Sequence, residues 1–376
     1  MTATLGAVTG QDAANTTGEP VVEHVVAVDV GGSGARLVAV PGHRCGGPSG
    51  SEDDVPVTLT GRPVRITAAG SDAADVVAEL VADLTRRRPG IRIAAAALSV
   101  TGLPSLVPDP DALHDVLHDA GARTTAVAAD ALAAHLGALG GRPGAVAAVG
   151  TGAIVLATDL RRRWHRADGW GHLLGDLGSG SWIGAHGLRA AIATHDGRPG
   201  TPSPTLLAAA LERFGPVDGW PAALYGRPDR AHVLASFTPA VADAARAGDL
   251  VANAVLHDAG THLAESIAAA LRPGIPPLAA VTGGVLQIGA PVTTPLKARL
   301  SALRPDVRLV TADGTPLDGA LRLARSLVDA RSAGDGVLVE PYEPWLTVRR
   351  GPTPAPPSTP PTAGTPAGKE TSAHER

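Results

Sequence analysis

The chain has too few cysteines and aromatic residues for several common protein classes. Cys45 is the only cysteine among 376 residues, which excludes a disulfide framework, a zinc–thiolate cluster and an iron–sulfur cluster that needs four thiolates. The 13 histidines show no His-Glu-x-x-His or comparable metal-ligand spacing. Aromatic residues make up 2% of the chain and hydrophobic residues 44%, so any core must be built from Ala, Val, Leu and Ile.

Charge and the lack of long apolar runs exclude further classes. The formal net charge of −4 argues against a nucleic-acid surface, which needs an excess of basic residues. No apolar stretch reaches the roughly 18 residues that cross a bilayer, and the first 22 residues lack the apolar segment of a signal peptide. We therefore predict a soluble, cytoplasmic protein without nucleic-acid or membrane partners. Whether it forms a homodimer is left open.

The first of three glycine turns lies within residues 25–40. A run of valines and alanines reaches Asp29, the turn Gly31-Gly32-Ser33 follows, and a second apolar run begins after it, as in two strands joined by a tight turn. Backbone N–H groups of residues without bulk can close on an anion, and a carboxylate beside them can hold a hydrated Mg²⁺. The pattern indicates a nucleoside triphosphate site, although an ordinary glycine-rich hairpin explains this stretch equally well.

Two later glycine turns repeat this design. Gly150-Thr151-Gly152 lies between two apolar runs, and Gly283-Gly284 follows another. The chain has no G-x-x-x-x-G-K-[ST] motif, so a nucleotide would not be bound by a P-loop. Two phosphate turns followed by a late Gly-Gly resemble the order found in sugar kinases of the actin, hexokinase and Hsp70 superfamily.

The most specific segment is 168–184, which reads DGWGHLLGDLGSGSWIG. It closely resembles the G-W-G-x-x-x-G-D-E-G-S signature of the N-acetylglucosamine kinase-like family, also called BadF/BadG/BcrA/BcrD-type ATPases. The resemblance covers roughly residues 25–325. It implies an α/β protein with the two-domain actin-like ATPase (ribonuclease H-like) fold, whose halves face each other across a hinged cleft. It also implies an ATP-dependent amino-sugar kinase with ATP and Mg²⁺ as cofactors.

Most of the implied ligands are small or hydroxyl-bearing residues near these turns. The implied ATP contacts are Gly31, Gly32, Ser33, Gly150, Thr151, Gly152, Gly283 and Gly284. The implied sugar contacts are Thr101, Gly102, Thr151, Asp176 and the catalytic Asp130. Asp29 would hold Mg²⁺ through water, because Mg²⁺ keeps much of its hydration. Backbone donors that are fixed before the reaction stabilise developing charge without reorganising.

Asp130 is the candidate general base because it follows a predicted strand and opens a predicted helix, where the catalytic Asp of these kinases lies. The alternative is structural, since Asp is a favoured N-cap residue. The two roles are compatible. The N-terminus of a helix keeps a carboxylate ionised, and an ionised carboxylate can accept the proton of an attacking hydroxyl.

Two residues depart from the pattern of the family. Ile154 occupies a position where many relatives carry a polar residue, often Asn, and Leu177 replaces the Glu of the signature. Losing a hydrogen-bonding side chain toward a polar ligand costs about 1–3 kcal/mol. The resemblance implies phosphorylation of N-acetylglucosamine to its 6-phosphate. There are two alternatives. The protein is a kinase for a different sugar such as glucosamine, or it is a non-catalytic regulator that binds ATP or a sugar.

The order of the patterns divides the chain into a flexible leader (1–22), an N-terminal domain (23–140), a C-terminal domain (141–350) and a disordered Pro-rich tail (351–376). A glycine- and proline-containing break at 140–144 marks the boundary, and the last helix, about 317–330, is implied to pack back on the N-terminal domain. Alternating strand and helix patterns predict strands at 57–66, 91–100, 124–129 and 307–311 and helices at 72–87, 111–120, 131–139, 179–193, 204–213, 239–247 and 250–271.

Overall fold

The computed structural model describes residues 22–32, 34–42, 55–67, 70–103, 107, 109–333 and 338–351. Ser33, the predicted leader apart from residue 22 and the predicted tail apart from residue 351 lie outside the described residues. The strands are β1 (Glu23–Gly31), β2 (Gly34–Pro41), β3 (Val57–Gly61), β4 (Ile66–Thr67), β5 (Gly70–Ser71), β6 (Arg92–Val100), β7 (Thr124–Ala129), β8 (Gly144–Val149), β9 (Ala153–Thr158), β10 (Trp164–Asp168), β11 (Leu278–Thr282), β12 (Arg308–Val310) and β13 (Leu346–Arg350). The helices are α1 (Ala73–Arg87), α2 (Pro110–Asp119), α3 (Asp130–Ala138), α4 (Gly180–His195), α5 (Pro204–Phe214), α6 (Trp220–Tyr225), α7 (Arg230–Ala235), α8 (Thr238–Arg246), α9 (Leu250–Ala270), α10 (Ala290–Leu303) and α11 (Pro316–Ala333).

Two sheets of the same design organise the chain. The first has the strand order β13-β7-β6-β1-β2-β3, with β1 and β2 as an antiparallel hairpin and with β6 and β7 parallel to β1. The second has the order β10-β9-β8-β11-β12, with β8 and β9 as the hairpin and with β11 and β12 parallel to β8. In each sheet, a glycine-tipped hairpin therefore lies beside parallel strands whose carboxyl ends share one edge.

Aliphatic side chains fill the cores on these sheets, as the composition predicts. Among the largest fully buried side chains, all but Phe237 and Ile183 are leucines. Every residue of β6 after Arg92 is buried, as is typical of a central parallel strand that is covered on both faces. None of the helices in the described part of the chain combines the length and the apolar character that crossing a bilayer requires.

The chain passes between the two sheets at two places that touch each other. Residues 139–143 lead from α3 to β8, and residues 311–315 lead from β12 to α11. The Asp313 N–H donates to the Ala138 carbonyl at 2.9 Å, and the Arg142 guanidinium contacts the Asp313 carboxylate at 2.8 Å. α11 then packs on α3 and on β1 of the first sheet. We keep a domain division near residue 140 as a proposal, in which α11 belongs with the first half.

The ends of most predicted helices lie within two residues of the observed ends, but several observed elements were not predicted. The predicted strand 57–66 is wrong beyond Gly61, where Arg62 and Pro63 end the ladder because proline lacks an N–H to donate. The elements not predicted are β5, β10, α6, α7, α10 and β13. β13 pairs antiparallel with β7, so we place residues 346–350 with the first half rather than with the predicted C-terminal domain.

Candidate active site

Asp29 lies near the carboxyl end of β1, just before the turn at Gly31 and Gly32. It faces Arg36 across the hairpin, and the Ser99 hydroxyl of β6 donates to its Oδ1 at 2.6 Å. Burial raises the pKa of the Asp29 carboxyl, while the hydrogen bond from Ser99 and the charge of Arg36 oppose that shift. A Cβ placed on Gly32 would meet nothing within 4 Å, so the space around Gly32 is open.

Asp130 is the first residue of α3 and follows β7 directly. Its Oδ1 accepts the N–H of Ala131 at 2.7 Å, and the Thr101 hydroxyl donates to the same carboxyl group. Ala129 occupies the N-cap position without a side-chain cap, so Asp130 is not the N-cap. Burial raises the pKa of Asp130, and the charge of Asp29 raises it further. The two carboxylates therefore lie close enough to interact, because β1, β6 and β7 end at one edge of the sheet.

Thr101, a predicted sugar contact, follows β6 and uses its hydroxyl for Asp130. Gly102, the other predicted contact in this loop, has a φ of +73°, a backbone conformation that favours glycine. The structure thus brings Asp29, Thr101 and Asp130 together at the edge of the first sheet. A direct contact of Thr101 or Gly102 with a sugar stays a prediction.

The second glycine turn, Gly150 to Gly152, joins β8 to β9 and rests on the start of α4. The Gly180 N–H donates to the Gly150 carbonyl at 2.9 Å, and the Ser181 N–H donates to the Thr151 carbonyl at 3.0 Å. Gly150 and Thr151 are exposed, and a Cβ on Gly150 would meet nothing within 4 Å. The backbone of this turn is therefore accessible to a ligand.

Asp176 is buried directly against that turn. A Cβ on Gly152 would lie 2.8 Å from Asp176 Oδ2, and the N–H groups of Ala153 and Gly171 donate to the carboxyl group. Burial, together with the charge of Asp168, raises the pKa of Asp176 to about 6. The structure therefore places two predicted site residues, Gly152 and Asp176, side by side.

Asp168 was not among the predicted site residues, yet it holds the segment that carries Asp176. Its carboxylate accepts the N–H groups of Gly169, Asp176 and Leu177 at 2.7–2.8 Å. Asp168 and Asp176 both have positive φ angles, 61° and 56°, which are uncommon for residues other than glycine. A sequence signal existed, since Asp168 directly precedes the signature, but its role depends on contacts that sequence spacing does not show.

The two departures from the family pattern differ in their surroundings. Ile154 pairs with Asp168 across β9 and β10, and a Cβ on Gly169 would lie 2.7 Å from Ile154 Cγ1, so the segment after β10 covers it. Leu177 is 37% exposed. We call residues 169–178 the signature loop. It also exposes Trp170, Leu173 and Leu174 by 63%, 74% and 87%, so an apolar surface lies beside Asp176.

The third glycine turn lies next to the second. A Cβ on Gly283 would come within 2.2 Å of the Val149 carbonyl oxygen, and Gly283 has a φ of +113°, so only glycine fits there. Gly284 follows with nothing within 4 Å of its Cβ position. Val149 directly precedes Gly150, and the second and third turns therefore form one continuous backbone surface at the edge of the second sheet.

Within the described ranges, no group of three or more His, Cys, Asp or Glu side chains is arranged to hold a metal ion. A cation at Asp29 would need further ligands from water or from a bound phosphate. Mg²⁺ is usually held in this way, by one or two carboxylates together with substrate phosphates and water. The donor set of the first sheet edge therefore fits a nucleotide-bound Mg²⁺ rather than a protein-only metal site.

Comparisons with known proteins find N-acetylglucosamine kinases among those similar to this chain. The N-acetylmuramic acid/N-acetylglucosamine kinase of Clostridium acetobutylicum is 28% identical over 207 residues, which are 53% of this chain and 67% of that protein. A crystal structure from Chromobacterium violaceum, assigned as an N-acetylglucosamine kinase, superposes with a TM-score of 0.58 at 27% identity and covers 80% of this chain and 99% of its own.

A ROK family glucokinase from Streptomyces griseus, in complex with glucose and AMPPNP, has a TM-score of 0.52 at 20% identity and the same coverage of both chains, 80% and 99%. These similarities confirm the predicted α/β fold of the actin-like ATPases and sugar kinases. The model of the BadF/BadG/BcrA/BcrD ATPase family matches residues 26–298. The chain therefore belongs to the BadF/BadG/BcrA/BcrD ATPase family.

Proposed function

We propose that this protein is an ATP-dependent sugar kinase that transfers the γ-phosphoryl group to a hydroxyl of an amino sugar. N-acetylglucosamine is the leading acceptor, because the similar proteins of C. acetobutylicum and C. violaceum are named as kinases of this sugar, and we take its 6-hydroxyl as the site of transfer. One observation carries the proposal. The helix that begins at Asp130 is joined by residues 139–143 to β8, the strand that ends at Val149 just before the Gly150 turn.

We infer that this connection brings both candidate groups to the same side of the molecule. α3 and β8 are joined by residues 139–143 and pack against each other, with His135 Nε2 and the Gly144 carbonyl 3.0 Å apart and with Leu139 against Val146. We infer that the chain reverses between them, which would put the start of α3 and the end of β8 at the same end. Nine residues of helix span about 13 Å, and six residues of strand about 20 Å. Asp130 and the Gly150 turn can therefore face one cleft.

Phosphoryl transfer needs a positioned acceptor, a site for its proton and stabilisation of the phosphates. Asp130 is proposed to accept the proton of the sugar hydroxyl, since its raised pKa makes it a better base than an ordinary Asp. Backbone groups of the three glycine turns would bind the phosphates and the adenosine. Asp29 would hold Mg²⁺ through water, and the ion, when bound, would neutralise charge on the phosphates.

Two alanine variants of the second turn separate its two proposed roles. Gly150→Ala adds a methyl group in open space, where the phosphates would approach, so the KM for ATP should rise about 10–100-fold, as expected for lost hydrogen bonds to a charged group. Gly152→Ala instead displaces Asp176, so the KM for the sugar should rise about tenfold or more. Steady-state kinetics with each substrate varied would check this. Equal effects of both variants on both KM values would contradict the separation.

The pKa of Asp176 predicts a pH dependence of sugar binding. The ionised carboxylate is the stronger acceptor for sugar hydroxyls, and the pKa of Asp176 is about 6. Affinity for the sugar should therefore be complete above about pH 7 and fall as the pH drops through 6. Asp176→Asn should bind weakly at all pH values and lose this dependence. Calorimetric titrations between pH 5 and 8 would check this, and a pH-independent affinity of the unsubstituted protein would contradict it.

A second function is favoured by the apolar signature loop. Leu177 stands where the family signature carries a Glu, and other exposed apolar side chains lie in the same loop, which suits a binding protein that no longer phosphorylates its sugar. A panel of sugars with coupled ADP detection separates the two. N-acetylglucosamine, glucosamine and glucose with ATP should give turnover with at least one acceptor, whereas calorimetric binding without product would favour the regulator. Three statements stay predictions: the protein is cytoplasmic, it has no nucleic-acid or membrane partners, and it could form a homodimer.

A further inference from the structure

Ser99 is a fully buried hydroxyl residue on β6, the strand between β1 and β7. It lies opposite Asp29 in the register of β1 and β6, and it donates to Asp29 Oδ1 at 2.6 Å. This length is in the range of a hydrogen bond from a hydroxyl to an ionised carboxylate. Asp29 is therefore held by one oxygen from a neighbouring strand.

Thr101, two residues further along the same chain segment, holds the other carboxylate. Its hydroxyl donates to Asp130, which follows β7 on the opposite side of β6 from β1. The end of β6 thus supplies a separate hydroxyl to each of two carboxylates that approach it from its two neighbours. Without these donors, two nearby carboxylates can share one proton or bind one cation together.

We propose that Ser99 is a positioning residue that orients Asp29 toward the nucleotide-bound metal and keeps it apart from Asp130. In this arrangement Asp29 binds the metal through water, and Asp130 remains available to accept the proton of the acceptor hydroxyl. This inference rests on the proposed function, because it assumes that a metal–nucleotide complex binds beside Asp29. Neither the sequence patterns nor the family signature marks Ser99.

Metal binding without turnover tests this role. We would measure Mn²⁺ affinity in the presence of AMPPNP by electron paramagnetic resonance for the full-length protein, Ser99→Ala and Ser99→Cys. Loss of an outer-shell partner typically weakens metal affinity about 10–100-fold. Ser99→Ala should show such a loss, while the sugar affinity, measured by calorimetry, should change less than about threefold. Ser99→Cys, which keeps the packing and a weak donor, should show an intermediate loss and guards against an alanine variant that fails to fold.

Ser203 offers a matched control outside the site. It is also fully buried, and its hydroxyl donates to Asp249 Oδ2 at 2.6 Å. Ser203→Ala therefore removes the same kind of bond and should leave Mn²⁺ affinity unchanged. An unchanged affinity in both Ser99 variants, or an equal loss in Ser203→Ala, overturns the positioning role alone. An unsubstituted protein that binds no Mn²⁺ with AMPPNP overturns both this inference and the proposed function, whereas normal Mn²⁺ binding without sugar phosphorylation overturns only the proposed function.

Discussion

Asp130→Asn should lower kcat for sugar phosphorylation about 10²–10⁴-fold, the usual contribution of a general base. Asparagine has the shape of aspartate, and its amide oxygen can still accept the Ala131 N–H that Asp130 accepts at 2.7 Å. It cannot take up the proton of the acceptor hydroxyl. Affinities for ATP and sugar should therefore stay within about threefold of the original, while turnover is lost. Coupled ADP detection and calorimetry would measure the two effects.

Asp109 provides the control for this substitution because it lies at a helix start with a purely structural role. It is the N-cap of α2, and its carboxylate accepts the N–H groups of Asp111 and Ala112. Asp109→Asn should leave kcat unchanged, since Asn is also a good N-cap. If Asp130→Asn keeps more than about a tenth of the original kcat, Asp130 is not the base, and its place at the start of α3 is structural only.

Gly137→Ala should destabilise the protein by about 3 kcal/mol or more. A Cβ at this position would lie 2.0 Å from the Thr315 carbonyl oxygen, and a Cβ on Gly319 of the facing helix would lie 1.9 Å from the Ala133 carbonyl oxygen. These contacts are made by backbone, which cannot yield as a flexible side chain would. α3 and α11 would have to separate, and overpacking of well-packed interfaces usually costs about 1–3 kcal/mol even where side chains can adjust.

Chemical denaturation of Gly137→Ala would measure this loss, with Gly226→Ala as its control. Gly226 ends α6 with a φ of −80°, and a Cβ there would meet nothing within 4 Å, so its unfolding midpoint should hardly move. Gly137 and Asp130 belong to the same helix, and kcat of Gly137→Ala should also fall where the variant is still folded. An unchanged midpoint would show that the two helices do not pack as closely as described.

Local sequence patterns were sufficient for the elements that position the candidate site. The valine-rich run to Asp29, the strand 124–129 and the helix after it follow from alternating or periodic apolar residues that are close in sequence. The three glycine turns are recognisable because each interrupts or ends an apolar run, and at Gly283 the backbone angle and the nearby Val149 carbonyl admit only glycine. The family signature located Asp176, and the structure shows that carboxyl group packed against Gly152.

Features that depend on distant partners could not be predicted in the same way. β13 is a strand because β7 offers it a free edge more than 200 residues earlier, and nothing within five residues indicates that pairing. α10 contains Pro295, which obscures its helical pattern. Ser99 and Asp168 each make hydrogen bonds that only the folded chain creates, so sequence spacing alone does not reveal these contacts.

Phosphorus NMR of the products tests the central claim most directly. The full-length protein would be incubated with ATP, Mg²⁺ and N-acetylglucosamine, and the spectra followed over time. The account predicts equal amounts of ADP and of one new phosphomonoester, whose signal is coupled to the methylene protons at C6 of the sugar. The appearance of ADP with free phosphate and no sugar ester, or no change in ATP with any amino sugar although both ligands bind, would contradict it.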